Sequence, residues 1–448
     1  MYVGQSTLRY SIPGLAGRCC VVHTEPMEHV ESLSLDQINL SEEGFWERPR
    51  AEREAAFTTL RKEKPVAKFD EVPFGPLEAG PGFYVLTKME DVLFASKNPS
   101  IFGSAEGATS IADLPPEFLD FFGGMINMDD PRHARQRKIV SAAFTPGMLK
   151  RVEDQVAEVA TKVVDDIASK GSCDFVTEVA ARLPLQIICQ MMGVPEEKWD
   201  FVFERSNVIL GAGDPEYVGE LEPDELIGAL LIAGAELAAL MEEMVEERKV
   251  NPTDDLTTAL ITPDADGEVL TQSDLNSFFV LLLVAGNETT RNAISHGLYQ
   301  LTQNPEQKEK WLADFDGMAR PAVEEIVRYA SPVIFMRRTL HQDHTLNGVD
   351  LKAGEKVLLW YASANRDEDV FEDSQAFNIS RSPNNHVGFG GPGPHFCLGA
   401  NLARREITVM FRELFKRLPD IHTVNEPDYL NSNFVNGIKH LRAEFTPA

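Results

Sequence analysis

The sequence is poor in cysteine, contains no long apolar run and carries few basic residues for its length. Its five cysteines, Cys19, Cys20, Cys173, Cys189 and Cys397, are spread over 448 residues. They are too few and too scattered for a disulfide framework or a zinc cluster. No apolar stretch approaches the roughly 18 residues that a transmembrane helix requires, and no basic start followed by an apolar block indicates a signal peptide. We therefore expect reduced thiols, no membrane span and a cytoplasmic location.

The charge balance is strongly acidic, which limits the classes of partner. The chain has 70 Asp and Glu against 42 Lys and Arg, giving a formal net charge of -28. Such a surface repels nucleic acid and anionic membranes, so neither is expected as a partner. No internal repeat or Gly/Ser linker divides the chain, and the length allows a large core. We predict one catalytic domain over residues 41–448, preceded by a loosely attached extension over residues 1–40, which show no clear periodicity.

A glycine-rich stretch surrounds the last cysteine. In residues 386–399, five glycines and two prolines flank Cys397, a composition that excludes a regular strand or helix and predicts a shaped loop. The residues from Ala400 onwards favour a helix. At such a junction, backbone N–H groups and the helix dipole stabilise a thiolate, and Phe389 can supply an apolar wall. An axial haem ligand needs this environment; the alternative is a buried cysteine beside a helix cap.

A second stretch places residues that are unfavourable inside an apolar helix, namely a glycine, an acid and two alcohols, within a predicted helix. Residues 271–274 (Thr-Gln-Ser-Asp) resemble a capping box and begin that helix. Gly286 costs about 1 kcal/mol relative to Ala inside a helix, and an idle acid beside alcohols would be costly there. Small Ala285 and Gly286 leave room for a diatomic ligand, which Thr289 can hydrogen-bond while Glu288 relays protons. The alternative is a helix that bends at Gly286, with a threonine bonded to the preceding turn.

Two charged patterns have ordinary explanations when each is taken alone. His133 and Arg137 are spaced i,i+4 on one predicted helix face, which is typical of a solvated basic surface. Glu325 and Arg328 are spaced i,i+3, and at a surface such a pair contributes only tenths of a kcal/mol.

Two further segments are assigned from local signals. Residues 102–128 contain four glycines and two adjacent prolines, so we predict a loop that packs its own aromatic side chains. The dipeptide Asn347-Gly348 predicts a tight turn within a small sheet.

Taken together, the motifs resemble the cytochrome P450 superfamily of haem-thiolate monooxygenases, in its soluble bacterial form. Gly390 stands where the family pattern Phe-Gly-x-Gly-x-(His/Arg)-x-Cys-x-Gly has phenylalanine. Residues 285–290 resemble the family signature (Ala/Gly)-Gly-x-(Asp/Glu)-Thr-Thr. The loop is also similar to that of bacterial members that oxidise sterol side chains and methyl-branched lipids. The positions of the loop that match the pattern are Gly391, Gly393, His395, Cys397 and Gly399.

The resemblance implies a mainly α single-domain fold with a small β region. Haem b would lie between a long central helix and the helix after the cysteine loop. Cys397 would bind the iron, Glu288 and Thr289 would be catalytic, and residues 102–128 would face the substrate. The residues implied to contact the cofactor are His133, Arg137, Ala285, Gly286, Arg338, Phe389, His395, Cys397 and Gly399. The residues that match a structural clamp near the cysteine loop are Glu325, Arg328 and Arg381.

The resemblance also implies the reaction, insertion of one oxygen atom from O2 into an unactivated C–H bond. The candidate substrate contacts are Val333, Phe335, Phe434 and Val435, the last two at the tip of a predicted hairpin. These apolar residues and the loop type favour a large hydrophobic substrate hydroxylated at a chain terminus, such as a sterol, a methyl-branched fatty acid or an isoprenoid. A hydroxylase of secondary metabolites and a haem protein that only binds a ligand are the alternatives.

Electrons must come from outside the chain, because the sequence contains no flavin or nucleotide motif. The resemblance implies a monomer that receives them from NAD(P)H through a ferredoxin reductase and a ferredoxin. We hypothesise that an acidic ferredoxin docks on a basic patch formed by Arg132, Arg135, Lys138 and Arg404.

Overall fold

The computed structural model describes residues 33–73, 77–143, 146–211, 214–264 and 266–448. The α-helices in these ranges are α1 Glu43–Trp46, α2 Arg50–Glu63, α3 Met89–Lys97, α4 Pro116–Gly123, α5 Arg132–Ala143, α6 Pro146–Ala168, α7 Arg182–Met192, α8 Trp199–Leu210, α9 Pro215–Val218, α10 Pro223–Val250, α11 Leu256–Ile261, α12 Gln272–Gln303, α13 Pro305–Ala313, α14 Phe315–Ala330, α15 Tyr361–Ala364 and α16 Ala400–Arg417. Short 3₁₀ turns occupy Leu35–Gln37, Gly124–Asn127 and Glu196–Lys198, and a π-helical turn occupies Val176–Ala180.

The strands are short and form four small sheets within the described residues. They are β1 Val66–Phe69, β2 Phe83–Leu86, β3 Phe102–Gly103, β4 Ser172–Asp174, β5 Met336–Leu340, β6 His344–Leu346, β7 Val349–Leu351, β8 Lys356–Leu359, β9 His422–Thr423, β10 Asp428–Tyr429, β11 Ile438–His440 and β12 Arg442–Glu444. The largest sheet has the order β1-β2-β8-β5-β3, with β2 and β8 parallel and the other pairs antiparallel. The mainly α fold with a small β region is confirmed.

Helix α12, with 32 residues, runs through the centre of the helical layer. It packs against α7, α10, α14 and α16. The predicted capping box fixes its start, because the N–H of Asp274 donates to Oγ1 of Thr271 at 3.1 Å and the N–H of Thr271 donates back at 3.2 Å. Most side chains of α12 are buried, so a polar group on it must find a partner or perform a function.

The turn between β6 and β7 also follows the sequence signal. Asn347 and Gly348 both have positive φ, 49° and 77°, and they join two antiparallel strands. This is the backbone conformation that the Asn-Gly dipeptide favours in a two-residue hairpin. The hairpin β10–β11 places residues 430–437 at its tip, which includes the predicted tip residues Phe434 and Val435.

Residues 102–128 are more ordered than the loop predicted for them, so that prediction was wrong over much of the segment. Strand β3, helix α4 and a 3₁₀ turn lie within it. Pro116 is the first residue of α4, a position where a missing N–H costs nothing, and Gly124 ends the helix with φ of 46°. Gly234 of α10 lets the aromatic face of α4 approach closely, since a Cβ there would lie 3.0 Å from the ring of Phe122.

The predicted extension over residues 1–40 lies mostly outside the described residues, as do Cys19 and Cys20. Its last described part packs onto the domain, where Ile38 and Leu40 are buried in an apolar cluster with Phe57 and Trp360. The boundary at residue 40 stays a prediction. Over the described ranges, no helix combines the length and the apolarity that crossing a bilayer requires.

Candidate active site

The cysteine loop packs tightly against α3. The N–H of Cys397 donates to the carbonyl of Phe389 at 3.0 Å, and Gly399 is the residue before α16. A Cβ on Gly393 would overlap the backbone carbonyl oxygen of Ser96, and a Cβ on Gly391 would lie 2.7 Å from Oγ of the same serine, separations that real Cβ atoms do not reach. The glycines of this loop therefore allow a close approach of two backbones, and Cys397 is held at the junction with α16.

The electrostatics of Cys397 differ from those of the buried Cys189. Desolvation raises the pKa of the Cys397 thiol, but the N–H of Gly399 and the guanidinium groups of Arg137 and Arg404 act in the opposite direction. Burial raises the pKa of Cys189 to about 12 with no such opposing group. The pKa of the free Cys397 thiol therefore stays above its ordinary value, and the N–H of Gly399 and the two guanidinium groups are what the site offers to stabilise a thiolate.

Next to the cysteine loop, three groups that can carry positive charge gather on one side. The rings of His133 and His395 lie 4.2 Å apart, and the half-buried Arg137 donates to the carbonyl of Phe396 at 2.6 Å. Burial, with a contribution from neighbouring cations, depresses the pKa of His395 to about 2. Nε2 of His133 is buried without a hydrogen-bond partner in the described residues, although its Nδ1 lies 3.6 Å from Asp130.

Arg338 completes this group from strand β5. It is only 4% exposed, and its Nη1 donates to the carbonyl of Arg337 at 2.7 Å. No carboxylate of the described residues lies within ion-pair distance of it, whereas the adjacent Arg337 pairs with Asp113 at 2.7 Å. Because a buried guanidinium without an anion is costly and its planar fork suits carboxylates, the four residues fit the propionates of a haem.

The face of α12 that carries the second motif borders open space. Ala285 is exposed, and Gly286 and Thr289 are partly exposed, on a helix that is otherwise mostly buried. Oγ1 of Thr289 donates to the carbonyl of Ala285 at 2.7 Å, which is the bond to the preceding turn considered above. A Cβ on Gly286 would lie 2.5 Å from Cδ1 of Ile188, so this glycine also allows α7 to pack closely against α12.

Glu288 points away from solvent, with 1% of its surface exposed. Its Oε1 accepts hydrogen bonds from Nη2 of Arg291 and from Nδ2 of Asn292, the latter at 3.2 Å. Its Oε2 is buried and has no hydrogen-bond partner in the part of the chain that the structure describes. The sequence reasoning overlooked Arg291 and Asn292, although their i+3 and i+4 spacing from Glu288 is the signal that finds such partners.

A further buried carboxyl group, overlooked at the sequence level, connects α16 to α12. Glu406 is 2% exposed. Burial raises its pKa to about 8, and a hydrogen bond with Thr290 acts against that rise. Thr290 follows the predicted catalytic residue Thr289, so this contact ties the helix after the cysteine loop to the second motif. The signal in the sequence was an acid on the apolar face of an amphipathic helix.

The structure brings the three predicted clamp residues together in a buried network. Arg328 donates two hydrogen bonds of 2.8 Å to the carboxylate of Glu325, and Arg381 donates to the same carboxylate at 3.2 Å. Arg328 also donates to three backbone carbonyls, those of Asn365, Ser374 and Ala376. The network thereby joins α14 to the chain that leads into the cysteine loop.

The predicted substrate contacts fall into two places. Val333 and Val435 face each other across an isolated antiparallel bridge. Phe335 is 1% exposed and stacks on Trp360 with ring centroids 5.2 Å apart, and Phe434 packs edge-on against it at 5.5 Å. Phe335 thus packs in the core beside the large sheet, and the role of all four residues in substrate binding stays a prediction.

The basic patch hypothesised for a redox partner is paired internally. Each of its four cations makes an ion pair with a carboxylate of this chain, at distances of 2.8 Å for Arg132 and 2.6 Å for Arg135 and Arg404. The pairs are Arg132–Asp120, Arg135–Glu268, Lys138–Asp266 and Arg404–Glu324. Counting cations in the sequence could not reveal these partners, so the patch is not a free positive surface.

Comparison with known proteins places the chain in a family. The sequence model of cytochrome P450 matches residues 229–442. The chain is 48% identical over 419 residues to the methyl-branched lipid omega-hydroxylase of Mycobacterium tuberculosis, covering 93% of this chain and 94% of the relative. It is 42% identical over 396 residues to the steroid C26-monooxygenase of Mycolicibacterium smegmatis, covering 87% and 90% of the two chains.

Solved structures agree with the sequence relatives. Cytochrome P450 CYP268A2 of Mycobacterium marinum, in complex with pseudoionone, superposes with a TM-score of 0.86 at 39% identity, covering 95% of this chain and all of that one. CYP109E1 from Bacillus megaterium, in complex with corticosterone, superposes with a TM-score of 0.77 at 30% identity, with coverage of 90% and 100%. The chain belongs to the cytochrome P450 family. It is a monooxygenase, and the cofactor of this family is haem.

Proposed function

We propose that this protein is a haem b monooxygenase that hydroxylates the terminal carbon of a branched aliphatic chain, on a methyl-branched lipid or a sterol. The reaction is R–H + O2 + 2 electrons + 2 protons giving R–OH and water. The observation that supports the proposal is the packing of α12 against α16, together with the hydrogen bond between Thr290, the neighbour of Thr289, and Glu406 of the helix that follows Cys397. The two sequence relatives are named for terminal oxidation of such molecules, which supports the substrate class.

The residues around the cysteine loop hold the cofactor in this proposal. Cys397 provides the thiolate ligand, and the N–H of Gly399 stabilises its charge. His133, Arg137, Arg338 and His395 bind the propionates, and this gives Arg338 the anionic partner that the described protein residues do not offer it. When bound, haem supplies the iron at which dioxygen is activated, with the thiolate favouring O–O cleavage.

In the proposal, Glu288 and Thr289 control the delivery of protons. Thr289 would offer its hydroxyl as a hydrogen-bond donor to dioxygen or to a water, and Glu288 would deliver protons from Oε2, which has no partner among the described residues. Because Ala285 and Gly286 have no large side chains, this face of α12 leaves room for a diatomic ligand beside the helix. A protein that only binds a ligand has no need for a buried acid next to an alcohol on an open helix face.

The electrons come from a ferredoxin and its NAD(P)H-dependent reductase in this proposal, because the chain has no flavin or nucleotide motif. The internal ion pairs of Arg132, Arg135, Lys138 and Arg404 remove the reason for assigning the docking site to that patch. The monomeric state and the cytoplasmic location stay predictions.

The proposed function is tested by ligand titration followed by product analysis. The purified protein would be titrated with a methyl-branched fatty acid, a sterol with an intact side chain, a straight-chain fatty acid and a macrolide, while the haem absorption is followed. We expect tight binding and terminal hydroxylation of the two branched molecules, with NADH use that matches product. Tighter binding of the macrolide would favour secondary-metabolite hydroxylation, and binding of every ligand without product would overturn the monooxygenase proposal.

A further inference from the structure

Asn292 connects the acid of α12 to Ile438, the first residue of β11, directly after the tip of the β10–β11 hairpin. Its side chain is fully buried. Nδ2 donates to Oε1 of Glu288 at 3.2 Å, and Oδ1 accepts from the backbone N–H of Ile438 at 3.1 Å. Because a backbone N–H can only donate, Oδ1 must face Ile438 and the amide NH2 must face Glu288. The two bonds therefore fix the orientation of the amide.

The hairpin tip is also held from two other directions. His296, one turn after Asn292, lies with Nε2 3.0 Å from the carbonyl of Asn436. On the far side, the N–H of Asn436 donates to the carbonyl of Pro332 at 3.0 Å, and Val333 pairs with Val435. The tip that carries two of the predicted substrate contacts thus forms one hydrogen-bonded unit with α12.

The arrangement at Glu288 separates the roles of its two oxygens. Oε1 is held by Arg291 and Asn292, whereas Oε2 is buried without a partner in the described residues. With the carboxylate fixed through Oε1, Oε2 is the atom left to exchange a proton. A displacement of the hairpin tip would therefore move the Glu288 carboxylate through a single side chain, that of Asn292.

We propose that Asn292 is a positioning residue that couples the substrate-side hairpin to the proton-delivering carboxylate of Glu288. The inference rests on the proposed role of Glu288 and extends it. Substrate bound against the hairpin tip would fix the position of Ile438. Through its hydrogen bonds to Ile438 and Glu288, Asn292 would then fix the position of the Glu288 carboxylate. Proton delivery would then be efficient when the substrate is seated, and reducing equivalents would be lost when it is not.

The substitution Asn292→Asp tests the proposal with almost no change of shape. Aspartate keeps the oxygen that accepts from Ile438, but it replaces the donor facing Glu288 with a second carboxylate oxygen. We expect the fraction of NADH electrons recovered in product to fall about tenfold, the size typical for loss of a charge-assisted hydrogen bond. Hydrogen peroxide should rise correspondingly, while the apparent Kd for the substrate stays close to that of the wild type.

His296→Phe is the matched control, because it removes the neighbouring contact to the tip and leaves the bonds of Glu288 intact. We expect this variant to weaken substrate binding more than it lowers the product fraction. Both variants would first be checked for a wild-type spectrum of the reduced carbon-monoxide adduct, which reports an intact thiolate-bound haem. A second set, Asn292→Ala and Asn292→Ser, keeps the test available if the aspartate variant does not fold.

A double-mutant comparison separates this inference from the function on which it rests. In a Glu288→Gln background, Asn292→Asp should cause little further loss, because Asn292 acts through Glu288. An unchanged product fraction in Asn292→Asp, or an equal further loss in the Glu288→Gln background, would overturn the inference. If Glu288→Gln alone leaves turnover and product fraction unchanged, the proposed role of Glu288 fails as well.

Discussion

Two Glu-x-x-Arg pairs on buried helices look alike in sequence but have opposite surroundings. In α14, the side chains of Glu325 and Arg328 are both 0% exposed and lie 2.8 Å apart. In α12, the side chains of Glu288 and Arg291 are 1% and 4% exposed and also form an ion pair. The spacing and the burial are the same, so the difference between the two pairs must come from the groups around them.

The α14 pair is surrounded by partners. The carboxylate of Glu325 accepts from four groups, and Arg328 reaches three backbone carbonyls as well. The donors to Glu325 are Arg328, Arg381, the N–H of Asn378 and the amide of Asn384. A buried charge network that is satisfied to this degree stabilises one arrangement of the chain, which suits the anchoring of the segment before the cysteine loop.

The α12 pair leaves polar atoms without partners. Oε2 of Glu288, Nε of Arg291 and both amide atoms of Asn287 are buried without a hydrogen bond in the described part of the chain. Leaving such atoms unpaired costs stability, and local conflicts of this kind are expected at functional sites, which supports the proposed role of Glu288. If the proposed role of Glu288 holds, the completeness of the surrounding network, rather than the pair itself, distinguishes the structural pair from the functional one.

Removing Arg328 should have the largest effect on the folded state. Arg328→Ala leaves the Glu325 carboxylate buried without its principal partner, and breaking a buried pair in this way costs about 3–5 kcal/mol. Urea unfolding with the haem band and circular dichroism as probes would measure the loss. Arg328→Lys keeps the charge without the planar fork and should lose less. A wild-type unfolding curve for Arg328→Ala would contradict the structural role of this pair.

Glu288→Gln should reverse that pattern, with a large effect on turnover and a small one on folding. Glutamine keeps an oxygen that can accept from Arg291 and Asn292, but it cannot exchange a proton. Loss of a general acid or base lowers the rate by about 10²-fold or more. Steady-state product formation measures this, and Glu325→Gln is the control, for which we expect lost stability. Equal stability losses in the two variants would remove the distinction between the pairs.

Thr289→Ala should have a smaller effect, on product yield. The hydroxyl that the open face of α12 offers is lost, together with its bond to the carbonyl of Ala285. We expect product per NADH to fall several-fold while peroxide rises, because oxygen is activated without controlled protonation. Thr289→Ser retains the hydroxyl and should stay close to the wild type. Tight coupling in Thr289→Ala would contradict the role of this residue.

Local signals were sufficient for much of the fold and for part of the site. The capping box at Thr271 and the turn at Asn347-Gly348 depend on neighbours within a few residues, and both were predicted correctly. The partners of Glu288 in α12 were equally local and could have been found from spacing. Helix α4 was missed because its start at two prolines and its end at two glycines were taken as marks of a loop.

Contacts between distant parts of the chain could not be predicted in this way. Asn292 and Ile438 are 146 residues apart, and no periodicity connects them. The same limit applies to Arg135, whose carboxylate partner Glu268 lies 133 residues away. The orientation of Phe335, the residue before β5, toward Trp360 is decided by the packing of segments that are distant in the chain.

The central claim, that Cys397 is the thiolate ligand of a haem, is tested most directly by the absorption spectrum of the reduced carbon-monoxide adduct. We predict the strongly red-shifted band of thiolate ligation for the wild type and for Cys189→Ala, and its loss in Cys397→Ala. A wild-type protein without this band, or a Cys397→Ala variant that retains it, would contradict the account.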